Sequence, residues 1–491
     1  MKKVFTILAL MPTICFAQWT QVGNDINGQT TNDRCGSSTA ISADGSIVAI
    51  GSPMSSSSFS GAGQVRVFKN TNGSWTQIGT DLNGESSGDQ TGQAVSLSHD
   101  GSILAIGEPF NNDTGFTSGQ VRVFKNVNNS WSQIGQDLYG QNAVAETGKS
   151  VDLSADGTIV AFGAPNTTVN GVSFAGKVKV FENQNNSWVQ KGGDIDGDGA
   201  IIKFGTSISL AANGNVIAIG QTGDPSNINP ADTGRVKVYQ YIGNQWVQLG
   251  NTIFGIDGQD EFGHRVSLSA TGNILAIGSY AQGYVKVFEL INGIWTQIGN
   301  TLTGNSQGDS FGYGLSLSSN GTHLAVGARF LNLNNDQPGS AYIFKNTGGN
   351  WVLVDSPIVG VALADQAGAS VAISEDGFKV AVGSIGNDAA GNNAGHVRVF
   401  DNKLAPNIIY EKENDNWVKI APNPATESVK IQSKQVISSY TISSSQGIIV
   451  KQANLINQSE FAIDIHNLTA GIYIVTLQTK SLKKSLKLVK E

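Results

Sequence analysis

From about residue 36 to residue 400, large apolar side chains alternate with small or polar ones in short runs, and the runs recur. Val95 and Leu97 precede the turn His99-Asp100-Gly101, and Leu104 and Ile106 follow it. A period of two over four to six residues predicts strands. Asp-Gly or Asn-Gly between two such runs predicts a tight hairpin, because its central residues need positive φ. The turn glycine falls at Gly45, Gly101, Gly157, Gly214, Gly272, Gly321 and Gly377, with another glycine nine residues before each, from Gly36 to Gly368. Four residues past the turn glycine there is always alanine and six past it always glycine, as in Ala49 and Gly51 or Ala218 and Gly220. Side chains alternate across a strand, so this second strand has one bulky face and one nearly bare face.

A third strand follows in every unit, from GQVRVF (63–68) to GHVRVF (395–400). A fourth carries a tryptophan: Trp75, Trp131, Trp188, Trp246, Trp295 and Trp351. Sheets with a bulky and a bare face stack on copies of themselves, and repetition of the stack about an axis makes a ring. The expected fold is therefore all-β: a seven-bladed β-propeller over residues 18–402. The seventh unit lacks a tryptophan strand after Asn402, whereas an unpartnered one stands at Trp19–Gly23, 56 residues before Trp75. The N-terminal strand is expected to complete the last blade, closing the ring and removing an open sheet edge.

Composition narrows the function classes. Only 14% of the 491 residues are charged, against about 25% in an average globular protein, and two cysteines exclude a disulfide scaffold. Residues 1–17 (MKKVFTILALMPTICFA) read as a secretory signal peptide, with cleavage between Ala17 and Gln18. A lipid anchor at Cys15 would need a small residue before it, and Ile14 is not small. No later apolar run is long enough to predict a transmembrane segment. Net charge is −7; the leader carries +2 and the segment from Lys403 onward +4, which leaves −13 for the middle. That sign speaks against nucleic acid as a partner.

The phrases Phe204-Gly205, Phe262-Gly263, Phe311-Gly312 and VAFGAP (160–165) resemble the FG-GAP repeat family, the β-propeller repeat of integrin α subunits and many secreted bacterial proteins. Calcium-binding members place an acidic loop between the halves of the repeat. Here two- or three-residue turns such as Ala43-Asp44-Gly45 stand in its place, with one carboxylate at most. The segment 413–491 resembles the type A sorting domain of the type IX secretion system. The resemblance rests on Pro422-Asn423-Pro424, on the Gly471-Ile472-Tyr473-Ile474-Val475 strand and on the basic end KSLKKSLKLVK. It implies a small immunoglobulin-like β-sandwich behind a linker at 403–412, the type IX secretion machinery as partner, and a product released from or anchored to the outer surface of a Gram-negative cell. Alternation at 428–432, 437–443, 461–465 and 471–478 suits such a sandwich.

Several residue groups could carry chemistry. Asp194, Asp196 and Asp198 open like a calcium loop, but the twelfth position is Gly205, where a bidentate glutamate is needed; a connector is the preferred reading. Asp33, Asp89, Asp260, Asp309 and Asp365 recur three residues before the opening glycine. They suit capping of loop N–H groups better than a metal ring. Cations between the valines of the third strand (Arg66, Arg122, Lys179, Lys237, Lys286, Arg398) suit stems lying over a neighbouring blade better than polyanion binding. No nucleophile elbow, phosphate loop or zinc motif appears, so no catalytic residue and no cofactor are assigned, with calcium as the one metal considered. What varies between units is the loop after the second strand, reduced to Ser-Tyr-Ala-Gln-Gly in unit five. The expectation is a non-enzymatic binding or adhesion module whose glycan or protein ligand meets that loop face. The alternatives are a polysaccharide-directed enzyme with an unrecognised site and a structural surface-layer component.

Overall fold

The computed structural model describes residues 19–223, 233–256, 260–304, 308–330, 338–402, 418–444, 449–479 and 483–490. The expected signal-peptide junction at Ala17 and Gln18 and the expected linker at 403–412 lie outside them. The chain divides into two compact units between Lys403 and Leu404.

The described residues of the first unit form seven antiparallel sheets. Blade 1 is typical: Ser38–Ile41, Ile47–Ser52, Gln64–Thr71 and Ser74–Gln77 pair in that order, and a two-residue fifth strand, Leu82–Asn83, pairs back onto the start of the third. That fifth strand was read as plain connector in the sequence, because two residues are too few to show a period. Blades 2 to 6 repeat the pattern, beginning at Ala94, Ser150, Ser207, Arg265 and Phe311. Blade 7 takes three strands, Ala367–Ile373, Lys379–Ser384 and His396–Asn402, and is completed by Trp19–Gln21, with Trp19 opposite Asn402 and Gln21 opposite Phe400. The first strand of each blade packs beside that of the next, and blade 7 returns to blade 1. The turns on one face repeat this closure in backbone hydrogen bonds: Ala43 N–H donates to His99 O (2.8 Å), His99 to Ala155, and finally Glu375 N–H to Ala43 O (3.0 Å).

Nesting of bulky face into bare face is what packs the ring. Ala49 is fully buried against Leu104 and Ile106 of blade 2, while Val48 and Ile50 on its other face meet Ala381 of blade 7. A Cβ on Gly51 would collide with the Gly92 carbonyl oxygen of blade 2, so only glycine allows the backbones to approach this closely. Two kinds of polar tie cross the seams. The indole N–H of Trp75, Trp131, Trp188, Trp246 and Trp295 donates to a carbonyl of the preceding blade at 2.8–3.0 Å. Arg66, Arg122 and Arg398 donate to Asn27 O, Asn83 O and Val359 O at 2.6–3.0 Å. These tryptophans and the three arginines are thus structural, and the arginine stems lie across neighbouring blades.

The second unit is a five-stranded antiparallel sheet folded on itself. The long strands Ser428–Ser444 and Ile449–Asp464 form one hairpin whose register shifts between Gln432 and Ser439. Before the shift Val418–Ala421 flanks it; beyond the shift Gly471–Gln478 does, followed by Lys483–Lys490. Val429, Ile431 and Ile463 from one half share a core with Ile442, Val475, Leu477 and Leu488 from the other, giving two packed layers. The basic end is thus a sheet strand with Leu488 buried. Asn423 Oδ1 accepts from Val489 N–H (2.8 Å), Tyr473 is buried with its hydroxyl donating to Thr469 O (2.9 Å), and the bonds before Pro422 and Pro424 are cis.

Candidate functional site

The loops after the second strands and the connectors between blades lie on one face, because short backbone ladders tie them together. Thr91 N–H donates to Ala62 O (2.8 Å), Thr147 to Ser118 O (3.0 Å) and Cys35 to Ala394 O (2.9 Å). The recurrent aspartates hold these connectors in shape. Asp33 accepts from Gln29 and Thr30 N–H, Asp89 from Ser86, Asp260 from Ile256, Asp309 from Phe311, and Asp365 from Val361 and Ala362, all at 2.7–2.9 Å. All five are at most 1% exposed. The residue that follows each of them sits in the left-handed region without being glycine, from φ 48° at Glu261 to 57° at Ser310 and Gln366. A carboxylate buried on loop N–H groups offsets that strain and makes a firm rim.

On this rim the loops of blades 1 to 3 each expose a phenylalanine: Phe59 (52%), Phe116 (73%) and Phe174 (39%). Asp194, Asp196 and Asp198 do not gather into a three-carboxylate group. Asp194 and Asp196 face Lys177 at 2.6 and 3.4 Å, whereas Asp198 reaches into blade 4, to Lys237 (2.6 Å) and Arg235 (3.5 Å). These ion pairs hold Asp194 and Asp198 below the usual carboxylate range even though partial burial acts to raise them. Among the described residues no group of three or more His, Cys, Asp or Glu is placed to hold a metal ion. Cys35 is buried, with its thiol 3.6 Å from Arg66.

The ring encloses an axial channel of about 330 Å³, walled by the first strands and rich in hydroxyls such as Ser37, Thr39, Thr206 and Ser207. At its loop-face mouth, blades 5 and 6 depart from the repeat together. After the opening glycine, Ser37-Ser38 or Thr206-Ser207 becomes His264-Arg265. Two residues past the second-strand glycine, Pro53, Pro109 and Pro165 give way to Tyr280 and Arg329. These substitutions converge. His264 lies 4.4 Å from the Tyr280 ring and 5.2 Å from Tyr313, and the Arg329 guanidinium lies 3.8 Å from the Tyr313 centroid, with that of Arg265 at 5.9 Å. Burial pushes the His264 imidazole well below its ordinary value, and Arg265, Arg329 and Lys149 lower it further, so the ring is neutral. Burial also lowers Arg265, with Arg329 adding to it, and the Tyr280 hydroxyl is pushed up to about 12 by burial and by Glu261, to which it hydrogen-bonds. Among the described residues neither Arg265 nor Arg329 has a carboxylate partner, and His264 Nε2 and Arg329 Nε have no hydrogen-bond partner. The sequence reading missed this cluster; the signal was there, in the positions where two adjacent units break a sevenfold pattern.

Residues 301–344 match the FG-GAP repeat model, and residues 419–491 match the secretion system C-terminal sorting domain model. No curated protein matches the sequence. Among solved structures, the Cps50 (Swd1) β-propeller domain of Myceliophteria thermophila is 12% identical with a TM-score of 0.50, covering 78% of this chain and 99% of its own. Kuenenia stuttgartiensis hydrazine synthase is 14% identical with a TM-score of 0.48, covering 78% and 97%. The likeness to the Cps50 domain is one of fold. Among the described residues no helix is long and apolar enough to cross a membrane. The sorting domain makes the chain a secreted or cell-surface protein.

Proposed function

We propose that this chain, an FG-GAP-type propeller ahead of a secretion-system sorting domain, is an extracellular binding module without catalytic activity. The sorting domain engages the type IX secretion machinery and delivers the propeller to the cell exterior. The propeller then meets a glycan or protein ligand through its loop face. One observation carries this reading: unequal loops bearing exposed Phe59, Phe116 and Phe174 stand on a rim made rigid by buried aspartates. Exposed aromatic side chains on a firm scaffold provide contact area at little entropic loss. The reading requires neither a metal nor a cofactor.

The test is to probe an array of cell-surface glycans and matrix proteins with the mature protein while assaying reducing-sugar release. Replacing the loops of blades 1 to 3 with the Ser279–Gly283 turn is expected to abolish binding to the array while the melting midpoint holds. Sugar release by the parent protein, or binding that survives the replacement, would overturn the reading.

A further inference from the structure

Arg265 lines the channel and the Arg329 guanidinium lies on the Tyr313 ring beside it; among the described residues neither has a carboxylate partner, although residues 18–402 carry a net −13. Like charges held together in a partly dry site raise the free energy of the empty state, and an anion between them removes that penalty. Lys149, whose charge is felt at His264, adds a third cation at the same mouth; it also pairs with Glu146 at 3.5 Å. Glu261 accepts a hydrogen bond from Tyr280 and lies 4.0 Å from His264 Nδ1.

We propose that this mouth binds the carboxylate of an acidic saccharide, with Arg265 and Arg329 holding the anion and the rings of Tyr280 and Tyr313 beside the sugar. The planar fork of arginine matches a carboxylate in two parallel hydrogen bonds. A neutral His264 with a free Nε2 suits a sugar hydroxyl, which can either donate or accept. The hydroxyl-rich channel wall suits a polyol rather than an apolar ligand, and about 330 Å³ is at the lower end of what small ligands fill. The loop Ser279–Gly283, which carries Tyr280, is the shortest of the seven in sequence. The inference deepens the binding reading above and rests on it.

The experiment is calorimetric titration of the full mature protein with three probes: an oligogalacturonate, its neutral methyl ester, and inorganic phosphate. The variants are Arg265→Ser and Arg329→Thr, singly and together. Each installs the residue that blade 4 already carries at the equivalent place, Ser207 and Thr222. The oligogalacturonate is expected to bind roughly ten-fold or more tightly than either other probe, and the double variant to lose that advantage with its melting midpoint unchanged. If the double variant melts early, Arg329→Thr alone carries the same expectation. Equal binding of the methyl ester, equal binding of phosphate, or a folded variant that binds like the parent would each overturn the proposal. Should surface ligands bind the parent while these arms fail to discriminate, only the acidic-sugar inference falls. Should the parent bind none of the surface ligands, the binding reading falls as well.

Discussion

The Cα of Gly51 lies against the Gly92 backbone of the next blade, and equivalent glycines repeat that approach at the other seams. A methyl group there has nowhere to go, because its neighbour is a carbonyl oxygen held by the Ser38 hydroxyl at 2.7 Å. Gly51→Ala is expected to destabilise the propeller by about 1–3 kcal/mol, the usual range for overpacking. Urea unfolding followed by tryptophan fluorescence measures it, and an unchanged midpoint would show that the seam can widen. The same scale explains why the recurrent aspartates read correctly in the sequence. An Asp at the end of a tight loop has the N–H groups three and four residues back within reach whatever the rest of the fold does. Arg265 reaches only the carbonyl of its neighbour His264 locally (3.2 Å), so its role depended on residues far along the chain.

Among the elements, Trp19–Gln21 does the most with the least length. It is three residues long, yet it fills the outer position of blade 7, and Val22 N–H extends the ladder to Val399 O at 2.8 Å. Val22→Pro removes that donor and is expected to lower stability by about 1–3 kcal/mol. Amide exchange should quicken first at Val399–Asn402, whose partner strand is loosened; equal exchange in variant and parent would mean that closure does not depend on this ladder. The strand was legible because its tryptophan keeps the 56-residue spacing. Other elements were not. The stretch 449–460 carries too many polar residues to show a period, and it is strand because it pairs along Ser428–Ser444. Residues 483–490 read as a basic end because their lysines mask Leu486 and Leu488, which pack into the core.

For the whole molecule, folding and destination are separate tasks. The propeller closes on itself through Glu375 and Ala43, and the second unit builds a core of its own. Deleting residues 419–491 is therefore expected to leave a folded propeller that is no longer exported. Immunodetection of surface and supernatant fractions should fall roughly ten-fold or more while a protease-resistant propeller accumulates inside, given a core of this size. Undiminished export of the truncated chain would deny the tail its sorting role.

The sequence alone determined the repeat, the number of units, the missing strand and its replacement, and the sorting tail. Each of these is written in local period and spacing, and short-range geometry translates them directly into strands and turns. The channel mouth was decided only by tertiary structure. His264, Tyr280, Tyr313 and Arg329 are spread over more than sixty residues of sequence, and what gives them meaning is a ring that brings two neighbouring blades against a common axis.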